Sequence, residues 1–371
     1  MTTEQSIPVP SKPVRSRRRL SLSLRALMLI VLVVSVGLGW ISNQARVQRK
    51  AVATIRRTGG NVSVNWPWVS LPSSRILVKN PGPAFLRRWL GPEYFDTVTY
   101  VDYLNATQTP KLGGDEVLRA AYHFPMLEDL AIVHTDATDA GAEGLGRLTK
   151  LKSLDLRMNQ MTARTVKDFG NLTELRKLEL GSIPLRDEDM TFLRKLTKLE
   201  TLLMFAKATS LTDSWLENIE DLTNLNHLEV TDIPTTTNGL RHLRKLTNLS
   251  ILSLRDAKVD DLKVLKPLTN LAILDLHGSP IDDEDLIVLQ NFPKLYHIGL
   301  LKTKITDHGL AHLRAVPNLT HLNLTGTAIT DAGLLELGTF PKLWLIWIGD
   351  TKITDKARAA FILAHPTIRV R

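Results

Sequence analysis

Leu319-Thr-His-Leu322-Asn-Leu324-Thr-Gly-Thr327-Ala-Ile329-Thr330-Asp331-Ala-Gly-Leu334-Leu-Glu-Leu337-Gly-Thr-Phe340-Pro341-Lys342 is the stretch that decides the fold. Leu322 and Leu324 point one way and Asn323 the other, the period of a short strand buried on one face. Thr330 or Asp331 then offers a side-chain oxygen to the free N–H groups at a helix start. Leu334, Leu337 and Phe340 fall at i, i+3 and i+6, one face of a short helix packed on the strand, and Pro341 ends it. One such unit cannot bury its leucines alone and needs neighbours of the same kind.

Those neighbours are present. The opening phrase L-x-x-L-x-L recurs from Leu127, Leu151, Leu175, Leu199, Leu225, Leu249, Leu271, Leu295, Leu319 and Leu343, at spacings of 24, 24, 24, 26, 24, 22, 24, 24 and 24 residues. Repetition at this period predicts a solenoid: parallel strands in one curved row on the concave face, short helices on the convex face, an α/β architecture. At about 4.8 Å between strands, the row is on the order of 45 Å long, a surface suited to a macromolecule.

The pattern resembles the leucine-rich repeat family over about two thirds of the chain. Most members carry Asn or Cys at the ninth position of the unit, whereas here Thr303, Thr327, Thr351 and Ser279 stand there, with Asn at Asn159. The wording Thr-x-Ile-Thr-Asp-x-Gly-Leu, at Thr303–Leu310 and Thr327–Leu334, is similar to the 24-residue subclass of bacterial repeat proteins and of F-box adaptors. No F-box precedes the repeats, so a ubiquitin-ligase role does not carry over. The full layout, including Ala51-Val-Ala-Thr-Ile-Arg-Arg-Thr-Gly-Gly, resembles membrane-anchored repeat proteins of planctomycete bacteria, a resemblance that implies architecture more than activity.

Ahead of the repeats the chain changes character. Residues 1–19 read as a disordered basic tail, and residues 20–41 carry one charge, Arg25, in an otherwise apolar run. Twenty-odd helical residues span roughly 33 Å, enough to cross a bilayer if Arg25 reaches back to the headgroups. A cleaved leader is the competing reading, but Trp40–Ala45 lacks the pair of small residues that cleavage needs. Six positive charges precede the helix core and three follow closely, which predicts a cytoplasmic N-terminus and repeats outside the cytoplasmic membrane. Residues 42–60 read as a helical stalk ended by Gly59-Gly60. Residues 61–126 read as an atypical N-terminal cap: a strand over Asn61–Trp66, a helix around Ala84–Leu90, a loose strand at Val98–Tyr103 and a helix at Asp115–His123. Residues 127–371 hold the ten units and a C-terminal cap.

Charge excludes one class of partner. The net +9 comes from the first sixty residues, which hold eleven basic residues and one acid, while the remainder holds 36 basic and 37 acidic residues. A nucleic-acid binder needs a basic face on its folded domain, so none is expected. There is no cysteine, which removes disulfides and thiolate chemistry. No nucleotide-binding, hydrolase or zinc-protease motif occurs, so the chain reads as a non-enzyme without a cofactor. The Asn-x-Ser/Thr matches at Asn171, Asn248, Asn318 and Asn323 fall out of the repeat and say nothing of glycosylation.

Function then rests on side chains between the leucines. Asp155, Glu179, Glu229 and Asp275 recur at position five, a track for a cation or basic ligand or, more simply, a solvated face. His297 and His321 share position three of adjacent units, about 5 Å apart, with His277 and Asn323 near; two histidines without a third ligand do not make a metal site. His308 and His312, at i and i+4, read as a wet helix face. Leu203, Phe205, Ile251, Ile273, Leu301, Leu345 and Trp347 are expected to face solvent on the concave side, an apolar series that suggests an interaction patch. Trp344 and Trp347 could equally cap the last unit with Phe361 and Ile362. The reading is a membrane-anchored scaffold that binds a protein, or a glycan, through Leu203, Phe205, Ile251, Ile273, His297, Leu301, His321 and Trp347. The alternatives are a self-associating envelope protein and, with inverted topology, a cytoplasmic-facing adaptor.

Overall fold

The structure is a computed structural model that describes residues 23–64, 98–104, 111–205 and 210–371. The expected tail, the helix around Ala84–Leu90 and residues 20–22 of the apolar run lie outside these residues. The chain divides into two units, residues 1–46 and 47–371.

In the first unit the described residues belong to helix α1, Leu24–Thr58, whose bounds extend into the second unit. Leu27, Met28, Leu29, Leu32, Val33 and Val36 are exposed along it. It is long and apolar enough to cross a membrane, a property a leader sequence shares.

The second unit is one sheet backed by helical turns. Its strands follow in chain order: β1 (Asn61–Val64), β2 (Val98–Leu104), β3 (Asp129–Val133), β4 (Ser153–Asp155), β5 (Lys177–Gly181), β6 (Thr201–Phe205), β7 (His227–Thr231), β8 (Ile251–Arg255), β9 (Ile273–Asp275), β10 (His297–Gly299), β11 (His321–Asn323), β12 (Leu345–Trp347) and β13 (Arg369–Val370). β1 pairs antiparallel with β2, and every later neighbour pairs in parallel. Register puts each unit's position four against its neighbour's, so Leu154, Leu178, Leu202, Leu228, Leu252 and Leu274 form one buried row. The leucines that define the repeat are therefore a continuous core. Ala51 and Ile55 of α1 are buried in the same core, so the segment expected as a stalk is in part packed against the repeats.

Helices α2 (Gly114–Ala121), α3 (Asp139–Ala142), α4 (Asp307–Arg314), α5 (Asp331–Leu337) and α6 (Asp355–Ala364) occupy units near the two ends. The units between carry 3₁₀ turns, for example Thr165–Asn171, Asp187–Lys195 and Leu262–Leu265, where the sequence reading expected helices. A 3₁₀ turn rises about 2.0 Å per residue against 1.5 Å, so it spans the convex side with fewer residues.

Two contacts explain the repeat's wording. In most units an Asp at the start of the helical segment accepts both the N–H and the hydroxyl of the next unit's Thr: Asp115 from Thr138, Asp139 from Thr162, Asp187 from Thr212, Asp213 from Thr236, Asp283 from Thr306, Asp307 from Thr330 and Asp331 from Thr354. The Gly three residues after the receiving Thr makes room for the preceding unit's Asp, since a Cβ at Gly309 would lie 2.4 Å from Asp283 Oδ1 and one at Gly333 2.1 Å from Asp307 Oδ1. At the ninth position Asn159 donates to Ile132 O and Leu156 O and accepts from Thr135, joining two units. Thr303 and Thr327 donate only to carbonyls of their own unit, Leu300 O and Leu324 O. The Thr thus closes one turn where the Asn ties two.

Candidate functional site

The sheet face opposite the helical turns carries three outward rows. At position three, register aligns Lys177, Thr201, His227, Ile251, Ile273, His297, His321, Leu345 and Arg369. At position five it aligns Asp155, Glu179, Leu203, Glu229, Ser253, Asp275, Gly299, Asn323 and Trp347. Phe205 lies at position seven between Gly181 and Thr231. Leu301 occupies the same position in its own unit.

Phe205, Ile251, Ile273, His297, Leu301, His321 and Trp347 are each half-buried on this face. Leu203 and Leu345 are not, and their expected exposure is corrected. Leu203 is 9 % exposed and Leu345 7 %. Strands about 4.8 Å apart let the flanking side chains close over a leucine. Leu203 stands between Glu179 and Glu229, and Leu345 between His321 and Arg369.

The acidic row is not a solvated face. Arg157 holds Asp155 at 2.7 Å and Glu179 at 2.8 Å, Lys177 pairs with Glu179, and Arg255 Nε donates to Asp275 at 2.9 Å. Glu179 is 4 % exposed inside this network. Gly181 leaves space beside Arg157, whose guanidinium lies 5.6 Å from the Phe205 ring centre. His227 approaches Glu229 at 4.0 Å, but burial pushes the imidazole pKa down and, as the largest cause, the Glu229 pKa up. Both shifts favour the neutral forms, so burial works against charge pairing at this contact.

The far end of the face is aromatic. His297 and His321 stack with centroids 5.6 Å apart and planes 4° from parallel. Trp347 stacks on His297 at 6.0 Å, Trp344 meets His321 edge-on at 5.3 Å, and Tyr296 lies 6.1 Å from His321. The Arg369 guanidinium sits over the Trp344 ring at 4.6 Å. Burial lowers the His297 pKa; His321 adds to the effect and Asp275 opposes it. His321 Nδ1 and Thr320 Oγ1 are 2.8 Å apart. His277 makes no ring contact with the pair among the described residues, and no metal-holding group of three ligands is found among them. His308 is exposed on α4 and His312 half-buried.

Trp344 and Trp347 belong to this sheet-side cluster, whereas Phe361 is buried on the helix side against His365, 4.6 Å between rings. They do not form one cap together. Tyr296 and Arg369 were not singled out in the sequence, and Trp344 was read there only as a capping residue. Position two of the unit, where Tyr296 and Trp344 stand, looks like a loop flank in one dimension and becomes a wall of the row in three.

No individually curated protein is significantly similar to the chain. Among solved structures, it is similar to an internalin, InlF, of Listeria monocytogenes at 21 % identity, covering 68 % of this chain and 82 % of that one with TM-score 0.49. A leucine-rich repeat protein of Leptospira interrogans is similar at 15 % identity over 68 % and 86 %, TM-score 0.43. The plant peptide hormone receptor RGFR1, solved with RGF2, matches at 15 % identity over 68 % and 43 %, TM-score 0.44. The family model of the leucine-rich repeat region matches residues 101–312, more than half of the sequence, and the chain belongs to the leucine-rich repeat family.

Proposed function

We propose that the chain is a membrane-anchored binding scaffold that recognises another protein on the concave, sheet-side face of its repeats. Leucine-rich repeats are commonly used for protein–protein recognition. The observation that carries the reading is the set of half-buried side chains Phe205, Ile251, Ile273, His297, Leu301, His321 and Trp347, held in register on one face with no cover among the described residues. Aromatic residues of this kind are enriched at interface hot spots. A glycan is the alternative occupant, favoured by the exposed rings of Trp344 (41 %) and Tyr296 (40 %).

The anchor in this reading is the apolar helix over residues 20–41, with the N-terminus cytoplasmic and the repeats outside. Cross-linking pull-down from membranes, with partners identified by mass spectrometry, tests the face. Ile273→Asp and Leu301→Asp are expected to abolish capture, and unchanged capture by both rejects the concave face. Protease treatment of intact cells tests the topology: repeats that survive while a known external protein is clipped lie on the inner side.

A further inference from the structure

Charge is distributed unevenly along the sheet face. From β4 to β9 every outward carboxylate has a basic or imidazole neighbour on the same face: Asp155 and Glu179 have Arg157, Glu229 has His227, and Asp275 has Arg255. From β10 to β13 no Asp or Glu occupies an outward strand position. What stands there instead is two stacked imidazoles, two indoles and the Arg369 guanidinium.

The Arg369 guanidinium lies over the Trp344 ring, 4.6 Å from its centre, and has no carboxylate partner among the described residues. Stacking fixes the plane of a guanidinium and leaves its N–H edge free to meet a carboxylate with two parallel hydrogen bonds. Gly299 beside His297 leaves its side-chain space to the Asp275 carboxylate of the preceding strand, since a Cβ there would come 2.4 Å from Asp275 Oδ1. The surface therefore combines aromatic walls with one cation that has no carboxylate partner among the described residues.

We propose that this end of the face, built by Tyr296, His297, His321, Trp344, Trp347 and Arg369, receives a segment of a protein partner that carries carboxylates next to aromatic side chains. The proposal rests on the docking reading above and adds the chemistry of the occupant. A carboxylate brought to Arg369 lies near the imidazole pair and favours its protonated form. Binding then takes up a proton and tightens as pH falls. The charged and titratable groups facing the pair are Asp275 from β9, His277 from the turn after it, Tyr296 beside β10 and Arg369 from β13. An uncharged occupant gives the opposite trend, because covering the rings desolvates them and disfavours their protonated form.

The test uses the full-length chain in detergent and two labelled random copolymers, poly(Glu,Tyr) and poly(Lys,Tyr), with a neutral chito-oligosaccharide as third probe. Binding of poly(Glu,Tyr) is expected, with affinity rising from pH 7.5 to pH 6.0 and little binding of the other two. Arg369→Gln and Trp347→Ala are expected to weaken it at least fivefold, while Arg314→Gln on the exposed convex side leaves it unchanged. Thermal melting of each variant separates lost binding from lost fold, and Arg369→Gln alters an exposed side chain only. Equal binding of both copolymers, preference for the oligosaccharide, or no effect of Arg369→Gln overturns the proposal. If Leu301→Asp still abolishes native partner capture in that case, the docking face stands and only the acidic chemistry falls.

Discussion

At the eighth position of nine units, among the described residues, the backbone turns through the left-handed region, at His134, Met158, Ser182, Asp232, Asp256, Lys302 and Asp350 with φ between 51° and 62° and at Gly278 and Gly326 with φ 70°. A residue with a Cβ costs about 1–2 kcal/mol there, while glycine costs about 0.5–1 kcal/mol of chain entropy on folding. Met158, half-exposed with φ 59°, is the clearest mismatch. Met158→Gly is expected to stabilise by about 0.5–1 kcal/mol, read from denaturant midpoints. The opposite outcome is expected on the convex side. Asp307→Ala removes the acceptor of two Thr330 hydrogen bonds and is expected to cost about 1–2 kcal/mol. Gly333→Ala drives a Cβ into the same carboxylate and is expected to cost about 1–3 kcal/mol. If Gly333→Ala is harmless in the background of Asp307→Ala, the two act through one contact.

At the scale of the strand rows, burial separates side chains that look alike in sequence. Leu203 and Leu301 both stand at outward positions, but Leu203 is closed over by Glu179 and Glu229 and Leu301 remains half-buried. Leu203→Asp is expected to cost several kcal/mol, because it buries a charge among carboxylates, and Leu301→Asp about 1 kcal/mol or less. The same rows set a pH response. His227 and His297 have folded-state pKa values pushed below the usual imidazole value, so the unfolded chain binds more protons below about pH 6.5. Their contribution is fully present above that pH and is lost as pH falls toward the folded values. The midpoint temperature is expected to drop between pH 7.5 and pH 6.0, and less so in a His227→Asn, His297→Asn double variant. The buried strand leucines were legible in the sequence because an alternating period fixes their side of the sheet. The Arg157–Glu179 network, the Trp344–Arg369 stack and the burial of Leu203 were not, because each depends on a neighbour 20 or more residues away brought to about 5 Å by register. The Thr-Asp-x-Gly wording was visible as a motif, but its cause, an aspartate reaching the following unit, needs two units at once.

Over the whole array of repeats the Asp–Thr contact is reversed once, where Thr237 accepts the Asp260 N–H and donates its hydroxyl to the Asp260 carboxylate, and is interrupted twice. Between the units beginning at Leu151 and Leu175, Ala163 stands where the acceptor would be, and Arg186 is served instead by Asp189 of its own turn. Between those beginning at Leu249 and Leu271 there is no hydroxyl to offer, and Asp282 donates its N–H to Asp285 of its own turn. Burial raises the Asp285 pKa, and Asp282, Asp261 and Asp260 raise it further, while the bond from Asp282 opposes. At neutral pH that carboxylate therefore opposes folding, and Asp285→Asn is expected to raise the midpoint temperature at pH 7, with the gain over the parent chain shrinking on acidification. Nearest-neighbour contacts set how a solenoid opens, so hydrogen exchange is expected to fall into three blocks bounded by these two junctions, and a single uniform protection level argues against them. In mechanical terms the stacked units are a spring whose stiffness is not constant along its length. The two junctions are its soft coils, and the second lies two strands before the aromatic cluster. That junction falls between β8 and β9, where Arg255 bonds Asp275 across it, so flexing there tilts the ring-lined end of the face against the earlier units with this ion pair among the contacts that must give.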